Sequence, residues 1–470
     1  MEATRVEQIY ARQRSHAPAM ARTTAAERRR RLRRLRCAIL ARRREIVDAI
    51  YEDLRRPPFE SEIAEIHNTL QEIDVAIRRL PRWMRPKRVR PTMLLAGTSS
   101  RLVFEPRGVV LIMAPWNYPF GLVINPLVAA IAAGNCAVLK PSEKAPATAA
   151  LLESLIDEVC DASEAVVVQG GPEVAASLLE LPFDHFFFTG GSHIGKIVMA
   201  AAARHLATVT LEMGGKSPAI VDASADVKAA AERIVWGKFF NAGQTCTAPD
   251  YVLVHATVAD EFVSAVEQAA ARLYGRDEAE RRASPDFARI VDEPHFRRLV
   301  DLVERSVASG ARVVIGGKWD AETRYVAPTV LSGVTPDAPV MEEEIFGPVL
   351  PILTYRDLTE AIMHARGHGT PLASYIFSRD KGVIGEFQRG VPAGGTLVNN
   401  TLLHYVSSEL PFGGWGSSGM GAYHGYHGFL TMSHVRPVVR QREPALARFF
   451  YPPYRGRLHD LAQRVIRWLE

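Results

Sequence analysis

A chain of 470 residues with 47% hydrophobic and 23% charged side chains is too long for one ordinary core and too apolar for overall disorder, so two or three folded domains are expected. Lysine and arginine exceed the acidic residues by only 57 − 52 = 5, which makes no case for a nucleic-acid partner. No window approaches the ~20 uninterrupted apolar residues of a bilayer span, and Cys37, Cys136, Cys160 and Cys246 are too scattered for a zinc site or a disulfide framework, so a soluble protein of the reducing cytoplasm is expected.

Residues 23–80 read as two or three helices ending at Pro81, a lead-in with no catalytic part. The arginine-rich run 28–36 invites a polyanion-binding reading. Leu32, Leu35, Ile39, Ile46, Val47 and Ile50 recur through it at helical spacing, however, which makes the arginines the solvated face of an amphipathic helix. A basic, proline-punctuated segment, 82–91, follows. From Leu102 the texture changes to short apolar runs between turns. Strands are expected at 108–114, 136–139, 165–169 and 184–188, with helices at 126–133, 147–159 and 172–179 between them. That alternation is α/β, a doubly wound parallel sheet. It restarts after Glu212 with strands at 218–221 and 251–254 and helices at 226–240 and 259–274, which indicates a second doubly wound α/β domain. Residues 275–286 read as a surface loop, 395–400 as a strand and 411–428 as a glycine-dense loop. In the tail, Leu458, Leu461, Val465, Ile466 and Leu469 share one side of a helix that Arg464 and Arg467 interrupt, so 457–469 reads as a docking or interfacial helix.

The chemistry centres on Phe239-Phe240-Asn241-Ala242-Gly243-Gln244-Thr245-Cys246. A lone cysteine is more often an inert buried hydrophobe than a nucleophile. Here it is accompanied by Glu212, followed by Gly214 and Gly215, and by Asn117, a side-chain amide between two prolines in Pro115-Trp116-Asn117-Tyr118-Pro119. Nucleophile, base and oxyanion donor are the roles acyl chemistry requires. Thr189-Gly190-Gly191-Ser192-His193-Ile194-Gly195 closes a strand and opens a helix, where backbone N–H groups suit a phosphate, although the spacing is not G-x-G-x-x-G. His424 and His427 have no third ligand nearby, and no metal is expected.

Taken with Lys140-Pro141-Ser142-Glu143, Leu211 to Pro218 and Glu344-Ile345-Phe346-Gly347-Pro348, these motifs make the chain resemble the aldehyde dehydrogenase superfamily from about residue 25 to about residue 453. Tyr118 in the Pro-Trp-Asn-Tyr-Pro motif, the short N-terminus and the stretch from Leu410 to Gly425 resemble its class 3 branch of fatty, aromatic and coniferyl aldehyde enzymes. The resemblance implies Cys246 as nucleophile, Glu212 as the base that hydrolyses a thioester, and Asn117 as oxyanion donor. It implies cofactor contacts from Trp116, Gly190, Ser192 and Gly195, from Lys140 and Glu143 at the adenosine ribose, from Glu344 at the nicotinamide ribose and from Phe346 beside the ring. Gly191 stands where many members carry a serine. NAD is the expected cofactor with NADP tolerated, because the Glu143 carboxylate repels a 2′-phosphate and Lys140 partly offsets that. Leu402, Leu403, His404 and Tyr405, with Phe412 and Tyr118, read as an apolar wall for an aromatic or medium to long aliphatic aldehyde. The implied layout is residues 1–211 as N-terminal helices and cofactor-binding domain with a bridge near 82–107, 212–395 as catalytic domain, and 396–470 as a return to the core, a small oligomerisation extension and a tail, in a homodimer. Two other readings are an esterase or acyl-transfer protein using Cys246 alone, which has no use for a dinucleotide site, and a non-catalytic polyanion binder, which has no use for Cys246, Glu212 and Asn117 together.

Overall fold

The computed structural model describes residues 2–90, 92, 95, 97–441 and 451–469. Two large sheets hold the molecule. The first contains, in order, Gly419–Met420, Thr208–Glu212, His185–Thr189, Val109–Met113, Cys136–Lys140 and Ala165–Val167, all parallel except the first. The second runs Arg312–Ile315, Thr329–Ser332, Val349–Tyr355, Tyr251–His255, Pro218–Val221, Ala373–Phe377 and Gly395–Val398, again parallel apart from the first strand.

The strand sequences explain this arrangement. Val109–Met113, Cys136–Lys140 and His185–Thr189 are buried at every position, as strands sandwiched between helix layers must be, and their continuous apolar runs are the signature of a parallel sheet. Helices between them start on residues that suit a first turn: Pro146 and Pro172 open Pro146–Val159 and Pro172–Leu179. Gly134 closes Gly121–Ala133 in a left-handed conformation, with the Arg28 guanidinium packed where a side chain would stand. The helix Ala25–Ala41 begins with a reciprocal capping box between Thr24 and Glu27. It buries Leu32, Leu35 and Ile39 as its spacing indicates, while Arg28 is also buried and donates to the Ala132 and Ala133 carbonyls. A third sheet, Lys87–Val89, Thr98–Pro106 and Ser433–Gln441, is antiparallel and shows solvent a row of exposed residues that includes Val89, Val435, Val438 and Val439.

Several expectations need correction. The N-terminal region holds more helix than expected: Glu2–Ala21, Arg43–Leu54, Pro58–Ser61, a π-helical turn Glu62–His67, and Asn68–Trp83, which runs through Pro81. Residues 275–286 are not wholly loop, since Asp277 caps a short helix, Glu278–Ala283. The stretch 411–428 contains the antiparallel strand Gly419–Met420 and the start of the helix Gly425–Thr431. Its glycines are there because backbone approaches backbone: a Cβ on Gly419 would run into the Leu211 carbonyl and one on Gly414 into that of Ser418. The tail helix Arg457–Leu469 is present, with Leu461 and Ile466 exposed. Among the described residues no helix is long and apolar enough to cross a membrane.

Candidate active site

In the first sheet the chain passes from Val109–Met113 outward to Cys136–Lys140 and Ala165–Val167, then returns to the other side of Val109–Met113 with His185–Thr189. The strand order therefore reverses between Val109–Met113 and His185–Thr189, and a crevice is expected beyond the carboxyl ends of these two strands. It is found there. The loop after the first strand brings Pro115, Trp116 and Asn117, and the turn after the second brings Gly190, Gly191 and Ser192, to a polar crevice of about 420 Å³. Glu212, Gly214, Cys246, His295, Arg298, Glu344 and Phe346 complete its walls. On the other side of Cys246 lies a narrower apolar pocket of about 140 Å³, walled by Tyr118, Trp236, Phe240, Leu402, Tyr405 and Phe412 among others. Thr189, Glu212 and Cys246 line both.

Cys246 owes its position to a strained approach. Asn241 and Ala242 both stand at φ 52° and Gly243 at φ 74°. A left-handed alanine costs about 1–3 kcal/mol and persists only where its surroundings over-determine it. Asn241 accepts from Arg56 Nε at 2.9 Å, and its own amide donates to the Asn117 carbonyl at 3.0 Å and the Gln244 carbonyl at 3.2 Å. At Gly243 a Cβ would run into the Gly347 carbonyl, so glycine is required by φ and by space alike. Gln244 is buried and reaches across to the Arg289 carbonyl and the Val291 N–H, each at 3.0 Å. The turn Thr245–Ala248 then presents Cys246 to the cavity, closed by the Ala248 N–H on the Thr245 carbonyl at 2.9 Å. Tyr118 and Thr245 share a hydroxyl hydrogen bond of 2.6 Å, and the buried Tyr375 hydroxyl donates to the Thr247 carbonyl.

Asn117 is 2% exposed; one of its amide hydrogens goes to the Gln244 carbonyl at 3.0 Å. The other hydrogen and the side-chain oxygen have no partner among the described residues, in a group that carries two donors and an acceptor. Glu212 ends the Thr208–Glu212 strand and is also 2% exposed; neither carboxylate oxygen has a hydrogen-bond partner among the described residues. Burial alone raises its pKa well above 4.5. Burial likewise pushes Glu344 up to about 8, against the backbone N–H of Gly215 and the Lys216 and Lys238 charges, which lower it. A Cβ on Gly214 would meet the Glu344 carboxylate, so the Gly-Gly turn is what admits this side chain. The Cys246 thiol is held up to about 12, first by burial, then by the Glu344 and Glu212 charges, while the N–H groups of Cys246 and Thr247 pull it down. The free site thus stores a protonated thiol between two carboxyl groups, with backbone donors already aimed at the sulfur.

The residues fit a dinucleotide. Ser192 opens the helix Ser192–Arg204 on the capping residue Gly191, and both are exposed at the mouth of the crevice. A Cβ on Gly191 would meet nothing within 4 Å. The glycine in place of a serine therefore leaves room and backbone donors at a helix N-terminus, which is where a pyrophosphate binds. Trp116 and Phe346 pack edge to face at 5.5 Å in the crevice wall. Lys140 ends the strand Cys136–Lys140 and pairs at 3.2 Å with Glu143 in the loop that follows, on the same sheet edge and outside the lining of this crevice. Gly195 does not line it either: it sits in the first turns of its helix, against Met213 and Phe188. Among the described residues no cluster of side chains could hold a metal ion.

An aldehyde dehydrogenase family model matches residues 1–438. The chain belongs to the aldehyde dehydrogenase family. It is 44% identical over 426 residues to the 4,4'-diaponeurosporen-aldehyde dehydrogenase of Staphylococcus aureus, covering 91% of this chain and 92% of that one. Similarity to the mouse enzyme named aldehyde dehydrogenase, dimeric NADP-preferring, is 43% over 412 residues, covering 87% and 89%. The solved substrate-bound structure of Staphylococcus aureus AldH superposes with a TM-score of 0.94 at 41% identity, over 98% of this chain and 99% of that one. As a member of the family the chain is an NAD(P)-dependent oxidoreductase that converts aldehydes to carboxylic acids.

In this aldehyde dehydrogenase the supposed lead-in reaches the site. Ile63 and Ala64, on the π-helical turn, line the apolar pocket, and Arg56, Glu60 and Glu65 are hydrogen-bonded to the loops carrying Asn117 and Asn241. Helical periodicity shows which residues face a core but not which core, so this contribution leaves no local signal. Trp236 and Phe240 are further pocket residues that the sequence pattern places only on a helix. His404, expected in the pocket wall, is instead packed behind it against Tyr375 and Phe412.

Proposed function

We propose that Cys246, Glu212 and Asn117 carry out the oxidation, and that the preferred substrates are apolar aldehydes, aromatic or medium to long aliphatic. One observation carries the reading: Cys246 and Glu212 stand where an apolar pocket meets a polar crevice, so a carbonyl carbon delivered from one side is reached by sulfur, carboxylate and cofactor space together. Cys246 attacks as the thiolate, its proton having left to solvent, and the sulfur adds to the carbonyl carbon. The resulting oxyanion is taken by the free Asn117 amide hydrogen and the Cys246 backbone N–H. When bound in the crevice, the oxidised nicotinamide supplies a positive charge and accepts the hydride that the substrate carbon releases. Cys246 then holds a thioester, and Glu212 takes a proton from the water that hydrolyses it, freeing the acid and the thiol. A carboxyl group with a raised pKa and no hydrogen-bond partner among the described residues is suited to both halves of that proton transfer.

Trp116, Gly190, Ser192, Glu344 and Phe346 would hold the nicotinamide half and the phosphates, and Lys140 with Glu143 the adenosine ribose. Glu143 keeps its side chain 42% exposed beside Lys140, which favours NAD while leaving NADP usable. The exposed antiparallel sheet would be the seam of a homodimer, which sedimentation of the purified chain checks; a cytoplasmic location fits the free cysteines. The test of the function is absorbance of reduced nicotinamide with NAD or NADP and a panel of aldehydes. Benzaldehyde, cinnamaldehyde or decanal should give a higher kcat/KM than acetaldehyde, and NAD a higher one than NADP. A preference for acetaldehyde overturns the pocket reading, and use of NADP alone overturns the ribose assignment.

A further inference from the structure

Arg56 and Glu65, both buried, and the half-buried Glu60 form a polar cluster whose partners belong to the two loops of the site. Arg56 and Glu65 pair as an ion pair with both side chains fully buried. The guanidinium spends its three nitrogens on three separate acceptors: Nη1 on Glu65, Nη2 on the Asn117 carbonyl, and Nε on the Asn241 side chain at 2.9 Å. Its plane also lies over the Tyr118 ring, 4.7 Å from the centroid. The other Glu65 oxygen accepts from the N–H groups of Phe120 and Gly121 at 2.8 and 2.9 Å, where the helix Gly121–Ala133 begins. Glu60 accepts from the Asn241 N–H at 3.0 Å. Asn117 and the left-handed turn before Cys246 are thus fastened to one group, in which the Arg56 side chain touches both.

We infer that Arg56 is a positioning residue for the acylation half of the reaction, setting the Asn117 amide against the Cys246 sulfur from outside the cavity. This rests on the roles proposed above for Asn117 and Cys246. A planar, rigid fork suits the task, because three acceptors in different directions cannot be held with the same geometry by a flexible ammonium. Displacement of a reacting group by about 1 Å costs on the order of 10² in rate. Losing Arg56 should therefore slow the step that needs Asn117 and Cys246 in register, and leave the crevice residues Glu344, Phe346 and Ser192 as they are.

The experiment compares R56M, R56K, E65Q and N117A with the unaltered protein by rapid mixing with NAD and benzaldehyde, by hydrolysis of a 4-nitrophenyl ester without NAD, and by thermal melting. R56M should lower the rate constant of the reduced-nicotinamide burst and of ester hydrolysis by about 10², with burst amplitude close to one per folded subunit and KM for NAD within about threefold. R56K should recover at least about tenfold of the loss, since it keeps the charge opposite Glu65. A purely supporting role predicts the opposite pattern, reduced amplitude and melting temperature with an unchanged burst rate constant, and that result overturns the inference. If R56M does not fold, E65Q and R56K decide, because each loosens the clamp and should slow the burst by about tenfold; unchanged burst rates in both also overturn it. N117A separates the two layers. A normal burst and ester rate in N117A mean that the site reading itself has failed, whereas slow N117A beside normal Arg56 variants means that only the positioning has.

Discussion

Glu212 and Cys246 are given different steps, and single substitutions separate them. Cys246→Ala removes the sulfur, so neither a burst of reduced nicotinamide nor turnover should appear. Glu212→Gln keeps the size of the side chain and removes the proposed base, a loss on the order of 10² to 10⁴ in rate. A burst of up to one equivalent should survive, followed by arrested turnover and an acyl adduct on Cys246 visible by intact mass. Steady-state turnover within about threefold of the unaltered protein would end the base assignment. A second expectation follows from the charges around the thiol. With burial first, and Glu344 and Glu212 after it, raising the thiol to about 12, alkylation of Cys246 by iodoacetamide in the absence of cofactor should still be accelerating above the ordinary thiol range. Glu344→Gln removes the first-named of those charges and should shift the alkylation profile to lower pH. An unshifted profile would mean that burial alone sets the thiol.

At the scale of elements, the left-handed turn before Cys246 is tightly constrained. Gly243→Ala demands both a left-handed alanine and space occupied by the Gly347 carbonyl. A loss of about 2 kcal/mol or more in the unfolding free energy from denaturant titration is expected, with loss of activity in the fraction that still folds. A stability within about 0.5 kcal/mol would show that the turn rearranges freely. The motif around Cys246 is readable in the chain because turn chemistry is local: the glycine after Asn241 and Ala242 and the Thr-Cys-Thr turn announce themselves in sequence. The π-helical turn Glu62–His67 does not, since its neighbours, not its spacing, make it a pocket wall.

The whole molecule carries its buried acids as a pH-dependent load. Burial raises Glu72 to about 7 and Glu60 and Glu344 to about 8, and Glu212 rises as well. Each binds a proton in the folded chain that the unfolded chain has already released, so stability falls as pH climbs from 4.5 through these values. Buried histidines act the other way. His185 and His424 are lowered to about 3 and His368 and His404 to about 4, so their contribution to stability grows as pH rises to 6.5 and then stops. Between about pH 6.5 and about pH 8 the histidines have finished and buried Lys238, lowered to about 8, is only starting to lose its proton, so the acids dominate and the thermal midpoint should decline across that interval. A midpoint that keeps rising across that interval contradicts the buried, protonated state of these carboxyl groups.

The sequence by itself determined the alternation of strand and helix, the places of Cys246, Glu212 and Asn117 at the ends of turns, and the family. These depend on local order: continuous apolar runs make buried parallel strands, and glycine and proline mark the turns between them. Only the tertiary structure decided that Arg56 lies on the Asn117 carbonyl 61 residues away and on Asn241 185 residues away. It also decided that His404 backs the pocket instead of lining it, and that Lys140 and Glu143 stand outside the lining of the crevice. A contact between distant segments has no period and no spacing in the chain. It exists because the folded sheets bring unrelated loops to one edge, where a buried charge must find partners or cost several kcal/mol.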